Sequence, residues 1–237
     1  MIPNDILSFY SELKRTDVME AVELAVAKVL TRTFQMPFTV HFTQDGLKMT
    51  GLPHCGEPVE ITPDKIGKKL RRHVLFTIEV ELQKRQALHE AERLRQLQGK
   101  VLQGVVAGYE ADGSALVEME LSNIYRRIIL LGTCPLRYQP MHERNKYTAG
   151  KVYHWFVTSV LPVASERNAK VRIRLSRTSK ELPALLLRQM SGIERIICHR
   201  RIPGGPAEII TARKIPKDII NSVGKETGDI YRVRIIQ

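Results

Sequence analysis

A long stretch without proline, from Asp64 to about Leu97, constrains the fold of this chain most strongly. Its apolar residues recur at the spacing of an α-helix, which predicts one long helix that Gly99 ends. The later half, Gln83 to Gln98, is rich in charge and poor in apolar residues, so we expect a solvated rod that joins two bodies. A chain of 237 residues with such a helix is expected to form two compact units or a string of smaller modules.

The residues before this helix predict a small domain of helix and sheet. The segment Asn4 to Phe34 has the helical period in two successive apolar stripes. Apolar and polar residues alternate from Phe38 to Phe42, and Asp45-Gly46 predicts the turn of a hairpin. Pro53 to Pro63 predicts a connector that leads into the long helix.

Short alternating segments replace the helical period after Lys100. Strands are expected near residues 101–106, 115–119, 126–131, 152–157 and 171–175. Five short strands at this spacing, with glycine-containing turns, predict a small closed β-barrel of the OB type.

The last part of the chain predicts the element order α-β-β-α-β. Its second helix is expected to open at Pro216 and to end at Gly228. The predicted fold class is therefore α+β with several domains, which comprise residues 1–98, 99–178 and 179–237.

Charge is distributed unevenly along the chain, whose net charge is +12. Residues 1–64 contain 5 basic and 9 acidic side chains, whereas residues 99–180 contain 13 basic and 6 acidic ones. An excess of cations favours nucleic acid or another polyanion as a partner. An acidic beginning on a basic body indicates two partners, a protein and a nucleic acid.

The sequence argues against membrane and secreted proteins. No apolar run approaches the roughly 18 residues that span a bilayer, and the opening residues lack the order of a signal segment. Cys55, Cys134 and Cys198 are odd in number and widely spaced, which predicts reduced thiols in a cytoplasmic protein.

The sequence also argues against an enzyme, a cofactor and a metal site. His54-Cys55 and Cys198-His199 are adjacent pairs without a further ligand at helical spacing. The chain has no G-x-S-x-G nucleophile turn, and Gly224 to Gly228 lacks the spacing of a phosphate-binding loop.

Basic and aromatic side chains are mixed in the barrel segment, which predicts binding of single-stranded RNA. An OB-type barrel stacks bases on aromatic rings while cations follow the backbone. The predicted RNA-binding residues are Tyr125, Arg126, Arg127, Lys151, Tyr153, Trp155, Arg172, Arg174, Arg200 and Arg201.

Strand alternation assigns some of these residues to a common face. Tyr153 and Trp155 are expected on one face of their strand, and the pattern leaves open which face meets solvent. Arg172 and Arg174 alternate with apolar residues and are expected to share a solvent-facing side. A face that merely keeps the protein soluble is the alternative.

Several segments resemble the bacterial transcription factor family NusA. Leu175–Leu182 is similar to the family's L-S-R-T-x-P-E-x junction after the last barrel strand. Tyr147–Val152 is similar to its aromatic-x-P-G-D-x-V strand entry and departs from it at Ala149 and Lys151. Arg200–Gly204 resembles the R-E-P-G turn of its first KH domain.

Further segments extend the resemblance over nearly the whole chain. Asn4 to Phe34 looks like the first helices of the family, and Arg85 to Gln98 like its helix into the barrel. A KH domain clamps RNA with a G-x-x-G loop between two helices, whereas here Ala212–Pro216 passes directly into the last helix. The resemblance therefore implies a truncated, divergent member with a degenerate KH-like unit.

The family resemblance implies a non-enzymatic factor of transcription elongation, pausing, termination or antitermination. RNA polymerase would bind residues 1–98, nascent RNA would bind the barrel and the KH-like unit, and other elongation-complex factors are further candidate partners of a monomer. One alternative is an RNA-binding module in translation or RNA turnover. Another is a decoy that occupies polymerase and displaces the host factor.

Overall fold

The computed structural model describes residues 10–44, 46–123, 126–165 and 168–236, which form four helices and three sheets. Met1–Arg93 with Pro162–Val171 form one compact unit, and Leu94–Leu161 with Arg172–Gln237 form another. The predicted mixture of α and β structure is confirmed. Within the described ranges, no helix is long and apolar enough to cross a membrane.

The first unit packs two helices with a three-stranded sheet. Helix α1 is Arg15–Phe34, strands β1, β2 and β3 are Phe38–Thr43, Gly46–Gly51 and Val59–Ile61, and helix α2 is Lys68–Leu94. The strands lie in the order β1-β2-β3, and the predicted hairpin of β1 and β2 is confirmed. Strand β3 lies in the predicted connector. The start of the segment expected to form the first helices lies outside the described residues.

One hydrophobic core holds this unit together. It contains buried apolar residues from α1, from the sheet and from the first half of α2: Ala21, Val22, Ala25, Val26, Val29, Leu30, Phe38, Val40, Met49, Val74, Ile78 and Leu82. The apolar stripe that predicted helix α1 is the face that enters this core.

Helix α2 is shorter and less solvated than the sequence predicts. Tight 3-10 turns at Pro63–Lys65 and Arg95–Leu97 flank it on either side. Its later half buries Ala87 and Ala91, four residues apart, while Leu88–Glu90 between them are exposed, so one narrow stripe of the predicted solvated rod is covered. Alanine has a small apolar surface, and a buried alanine stripe therefore adds little to the hydropathy of a charged helix.

The charges of α2 compensate those of the residues before it. Arg85 lies 2.9 Å from a carboxylate oxygen of Glu20, and Arg93 lies 3.0 Å from one of Glu12. Residues 1–93 together contain 13 basic and 13 acidic side chains. The acidic character predicted from residues 1–64 disappears because α2 folds into the same unit.

Five strands close into a barrel, as predicted, and all their residues belong to the second unit except Pro162–Ala164 and Ala169–Val171 at the ends of two of them. They are β4 (Val101–Tyr109), β5 (Ala115–Asn123), β6 (Arg126–Cys134), β7 (Val152–Ala164) and β8 (Ala169–Ser176). Their order around the barrel is β4-β5-β6-β8-β7, with β6 parallel to β8.

Large and small residues fill the interior of the barrel. A Cβ atom at Gly104 would lie 2.4 Å from Val117 Cγ1, and one at Gly132 would lie 2.7 Å from Leu175 Cδ1. Trp155 is completely buried, and its indole N–H donates to the carbonyl oxygen of Gly104 at 3.2 Å. The barrel is therefore a packed core and not a channel.

The rest of the second unit, residues 179–237, is called the tail here and has the predicted α-β-β-α-β order. Its elements are α3 (Glu181–Ser191), β9 (Ile196–Arg201), β10 (Pro206–Thr211), α4 (Lys217–Thr227) and β11 (Ile230–Ile235). The sheet order is β11-β10-β9, with β10 parallel to β11 and antiparallel to β9. Residues 212–216 join β10 to α4 without a helix, as the sequence predicts.

The barrel and the tail share a hydrophobic core. Val101 of β4 is buried in the same cluster as Leu182, Ile196 and Ile209 of the tail, and Phe156 of β7 packs against it. The two parts thus belong to one compact unit.

Candidate nucleic-acid interface

Strand β8 presents Arg172 and Arg174 to solvent. Arg172 is exposed and Arg174 is half-buried, whereas Ile173 and Leu175 between and beside them are buried in the barrel. The predicted alternation is therefore confirmed. Among the described residues, no carboxylate forms an ion pair with either guanidinium, so neither charge is neutralised within the described part of the chain.

Lys151 and Tyr153 form a cation–aromatic pair at the start of β7. The ammonium nitrogen of Lys151 lies 5.2 Å from the centroid of the Tyr153 ring, and this ring packs edge-on against Tyr147. Lys151 is exposed and Tyr153 is half-buried. A base that stacks on Tyr153 from solvent would have to displace the Lys151 ammonium.

Trp155 does not belong to the interface. The predicted common face is confirmed, because the rings of Tyr153 and Trp155 lie 6.0 Å apart. This face turns inward at Trp155, however, and its side chain has 0 % exposure. The prediction that Trp155 stacks on RNA is wrong because the barrel encloses the indole. Its neighbour Phe156 points to the opposite side and packs against the tail.

The two arginines of β9 differ in environment. Arg200 is exposed on the strand, as an RNA contact requires. The Arg201 side chain is only 2 % exposed, and its Nε donates to Asp229 at 2.7 Å while Nη1 donates to the carbonyl oxygen of Arg177 at 2.9 Å. The prediction that Arg201 binds RNA is wrong because its guanidinium is used inside the unit.

The remaining predicted contacts lie at the turn between β5 and β6. Tyr125 lies outside the described residues. Arg126 and Arg127 pair with Asn123 and Ser122 in the β5–β6 ladder, and their side chains lie outside the described part of the structure. Their contact with RNA stays a prediction.

Where its side chains are described, the outer face of β5 and β6 is acidic and aliphatic. Glu118 lies opposite Leu131, and Glu120 lies opposite Ile129, which is 72 % exposed. Carboxylates repel phosphates, and aliphatic side chains offer no ring on which a base can stack. The part of the face that these four residues form is therefore unfavourable for RNA.

Arg177 is a buried, ion-paired arginine that is missing from the predicted RNA-binding residues, although it is the arginine of the L-S-R-T segment. Its side chain is 1 % exposed and lies where β8 leads into the tail. Its guanidinium pairs with Glu143, which follows the barrel strand β6, and with Glu226 of α4, 2.8 Å away. The ion network of Arg177, Glu143 and Glu226 thus connects the barrel to the tail.

The network changes the pKa of its carboxylate in the tail. Burial raises the pKa of Glu226, but His154 and Arg177 oppose burial and lower that pKa to about 2. The His154 backbone N–H donates to Glu226 at 2.9 Å, and the His154 ring nitrogen Nδ1 lies 3.2 Å from the same carboxylate. Glu226 is therefore ionised throughout the physiological range.

No protein-family model matches the sequence, and no curated protein matches it. The ligand of the barrel and tail is therefore inferred from the charge, shape and exposure of their surfaces.

The buried thiols have the properties of packed side chains. Burial raises the pKa of Cys134 to about 12 and that of Cys198 to about 11, so neither is a ready nucleophile. All three cysteines are free thiols. Within the residues that the structure describes, no group of three or more His, Cys, Asp and Glu side chains is placed to hold a metal ion.

Proposed function

We propose that this chain is a non-enzymatic, RNA-binding transcription factor of the NusA type. In this proposal residues 1–98 bind RNA polymerase, and the barrel and tail bind nascent single-stranded RNA. The observation that carries the RNA part is the pair of exposed Arg172 and half-buried Arg174 on one side of β8, whose charges no described carboxylate compensates.

The topology of the second unit supports the proposal. A closed five-stranded barrel with the order β4-β5-β6-β8-β7 has the strand order of an OB fold, whose members often bind oligonucleotides. The α-β-β-α-β tail fits a KH-like unit from which the helix and the G-x-x-G loop have been deleted.

The chemistry of the surface indicates how RNA would be held. Arg172, Arg174 and Lys151 would contact phosphates, which gives an affinity that falls with salt and depends little on base sequence. Tyr153 would supply a stacking surface at one point only, since Trp155 is enclosed. We expect weaker RNA binding than in a protein with a complete KH clamp.

The polymerase contact rests on the resemblance of residues 1–98 to the N-terminal domain of the family. The acidic excess of residues 1–64 no longer supports this contact, because residues 1–93 together contain equal numbers of basic and acidic side chains. A direct binding measurement is therefore needed for this half of the proposal.

The RNA half is tested with the full chain and a fluorescently labelled single-stranded RNA. We expect the double substitution Arg172→Glu and Arg174→Glu to lower the affinity at least about tenfold, because two phosphate contacts become repulsive. The matched control is Lys217→Glu with Lys225→Glu, which changes the charge equally on exposed positions of α4. Equal losses for both pairs would show an effect of net charge and would contradict the assignment of β8.

The polymerase half is tested by retaining core RNA polymerase on the immobilised full chain after nuclease treatment, which removes bridging RNA. The Arg172→Glu, Arg174→Glu variant should retain polymerase as well as the wild type does. Absence of polymerase from the wild-type chain would favour an RNA-binding role in translation or RNA turnover. Polymerase retention by a wild-type chain that does not bind RNA would favour the decoy.

A further inference from the structure

The three-stranded sheet of the tail has one covered and one open face. Ile196, Cys198 and Ile209 point to the covered face and are buried with α3 and α4. The open face carries Glu208 and Ile210 of β10, Ile230, Arg232 and Arg234 of β11, and Ile197 and Arg200 of β9, which a register shift at Glu208/Ile209 places on the same side although they are three residues apart.

Cations dominate the charge of this open face. Arg200, Arg232 and Arg234 are exposed, and among the described residues none of the three guanidiniums forms an ion pair. The single carboxylate, Glu208, lies on the central strand between Arg200 and Arg232 in the ladder and is half-buried. The face therefore has a net charge of +2 that points to solvent.

We propose that the open face of the tail sheet binds the backbone of single-stranded RNA and replaces the G-x-x-G clamp that the tail lacks. The inference rests on the proposed RNA-binding function and assigns Arg232 and Arg234 to it. It places the RNA contact of the tail on the sheet and not beside its helices.

The spacing of the arginines suits an extended polyanion. Arg232 and Arg234 are two residues apart on one strand, which separates their Cα atoms by about 7 Å. Arg200 lies two strands away from Arg232, which adds a contact about 10 Å to the side. A single strand that crosses the sheet can therefore place successive phosphates near successive guanidiniums.

The residue types also suit RNA better than an acidic protein surface. A planar guanidinium pairs with a phosphate through two N–H groups and stacks on a base through its flat face. The guanidiniums of this face can thus supply both a phosphate contact and a stacking contact for single-stranded RNA.

The test measures the salt dependence of RNA affinity for the full chain. The probe is a fluorescein-labelled single-stranded RNA of mixed sequence and about 20 nucleotides, titrated between about 50 and 200 mM salt. The variant is Arg232→Gln with Arg234→Gln, and the control is Lys217→Gln with Lys225→Gln, which removes the same charge from α4. Circular dichroism spectra check that both variants fold.

We expect the Arg232→Gln, Arg234→Gln variant to lower the slope of log affinity against log salt by about 1.4, because each phosphate contact with a single strand contributes about 0.7. The α4 control should keep the wild-type slope. A wild-type slope in the Arg232→Gln, Arg234→Gln variant would overturn the inference and leave the proposed function intact. Absence of RNA binding by the wild-type chain would instead overturn the proposed function and, with it, this assignment.

Discussion

Arg177 and Glu143 form a two-pronged ion pair, with Nη2 2.6 Å from Oε1 and Nε 2.9 Å from Oε2. The Tyr147 hydroxyl donates to the same Glu143 oxygen Oε2 at 2.8 Å. Arg177 also donates to the backbone carbonyl oxygen of Glu226. Both charges are thus removed from water with most of their hydrogen-bonding capacity satisfied, which is the condition under which a buried ion pair is tolerated.

The substitution Arg177→Met should destabilise the second unit by about 3–5 kcal/mol, because it leaves Glu143 buried without its partner. The measurement is urea unfolding followed by circular dichroism. Arg172→Met is the control, since Arg172 is exposed and its loss should cost less than about 0.5 kcal/mol. Equal unfolding midpoints for the two variants would show that the ion pair does not stabilise the unit.

The stabilising effect of Glu226 should depend on pH in the acid range. Its pKa is about 2 in the folded chain and about 4.3 in an unfolded one, so the folded state binds the proton less readily. The contribution is complete above the unfolded pKa, amounts to about 3 kcal/mol, and is lost as pH falls toward 2. The variant Glu226→Gln lacks this contribution at every pH.

The free energy of unfolding of wild type and Glu226→Gln is therefore compared from neutral pH downward. We expect the difference to be constant above about pH 5 and to shrink below it. Glu194→Gln, at an exposed position, should show no such difference. A gap between wild type and Glu226→Gln that stays constant down to pH 3 would contradict the lowered pKa of Glu226.

Two glycines of β4 should respond differently to the same substitution. A Cβ atom at Gly104 would lie 2.4 Å from Val117 Cγ1 and 3.2 Å from the backbone oxygen of Glu118, whereas one at Gly108 would meet no atom within 4 Å. Gly104→Ala should therefore destabilise the barrel by about 1–3 kcal/mol, and Gly108→Ala should be nearly neutral. Calorimetric melting temperatures check this, and a Gly104→Ala melting temperature equal to that of Gly108→Ala would refute the close packing.

Local patterns predicted most elements of this chain. The alternation of Arg172, Ile173 and Arg174 predicted both the strand β8 and its exposed face. Successive side chains of a strand point to opposite faces, so a strand with one face in the core and one in solvent alternates apolar and polar residues. The left-handed conformation at Gly228 ends α4 as expected. Strand β3 was missed because Val59–Ile61 is short and lies among glycine and proline residues.

The wrong assignments concern side chains whose environment depends on distant residues. Alternation places Tyr153 and Trp155 on one face but does not identify the inner face, which the closure of the barrel determines. Arg201 is buried because Asp229, distant in sequence, neutralises it. No local pattern distinguishes such an arginine from the exposed Arg200 beside it.

The environment of Arg177 likewise depends on residues that are distant in the sequence. Its partner Glu143 is 34 positions earlier and Glu226 is 49 positions later. The L-S-R-T segment drew attention to this arginine through family resemblance, and only the packing of the tail on the barrel explains its burial.

The enclosed indole gives the chain an internal optical probe. Trp155 is the only tryptophan, so fluorescence excited selectively from tryptophan comes from one point inside the barrel. The far-ultraviolet circular dichroism signal is weighted toward helices, and the two longest described helices, α1 and α2, lie in the first unit. Recording both signals along one denaturation curve therefore distinguishes a single cooperative transition from separate melting of the two units.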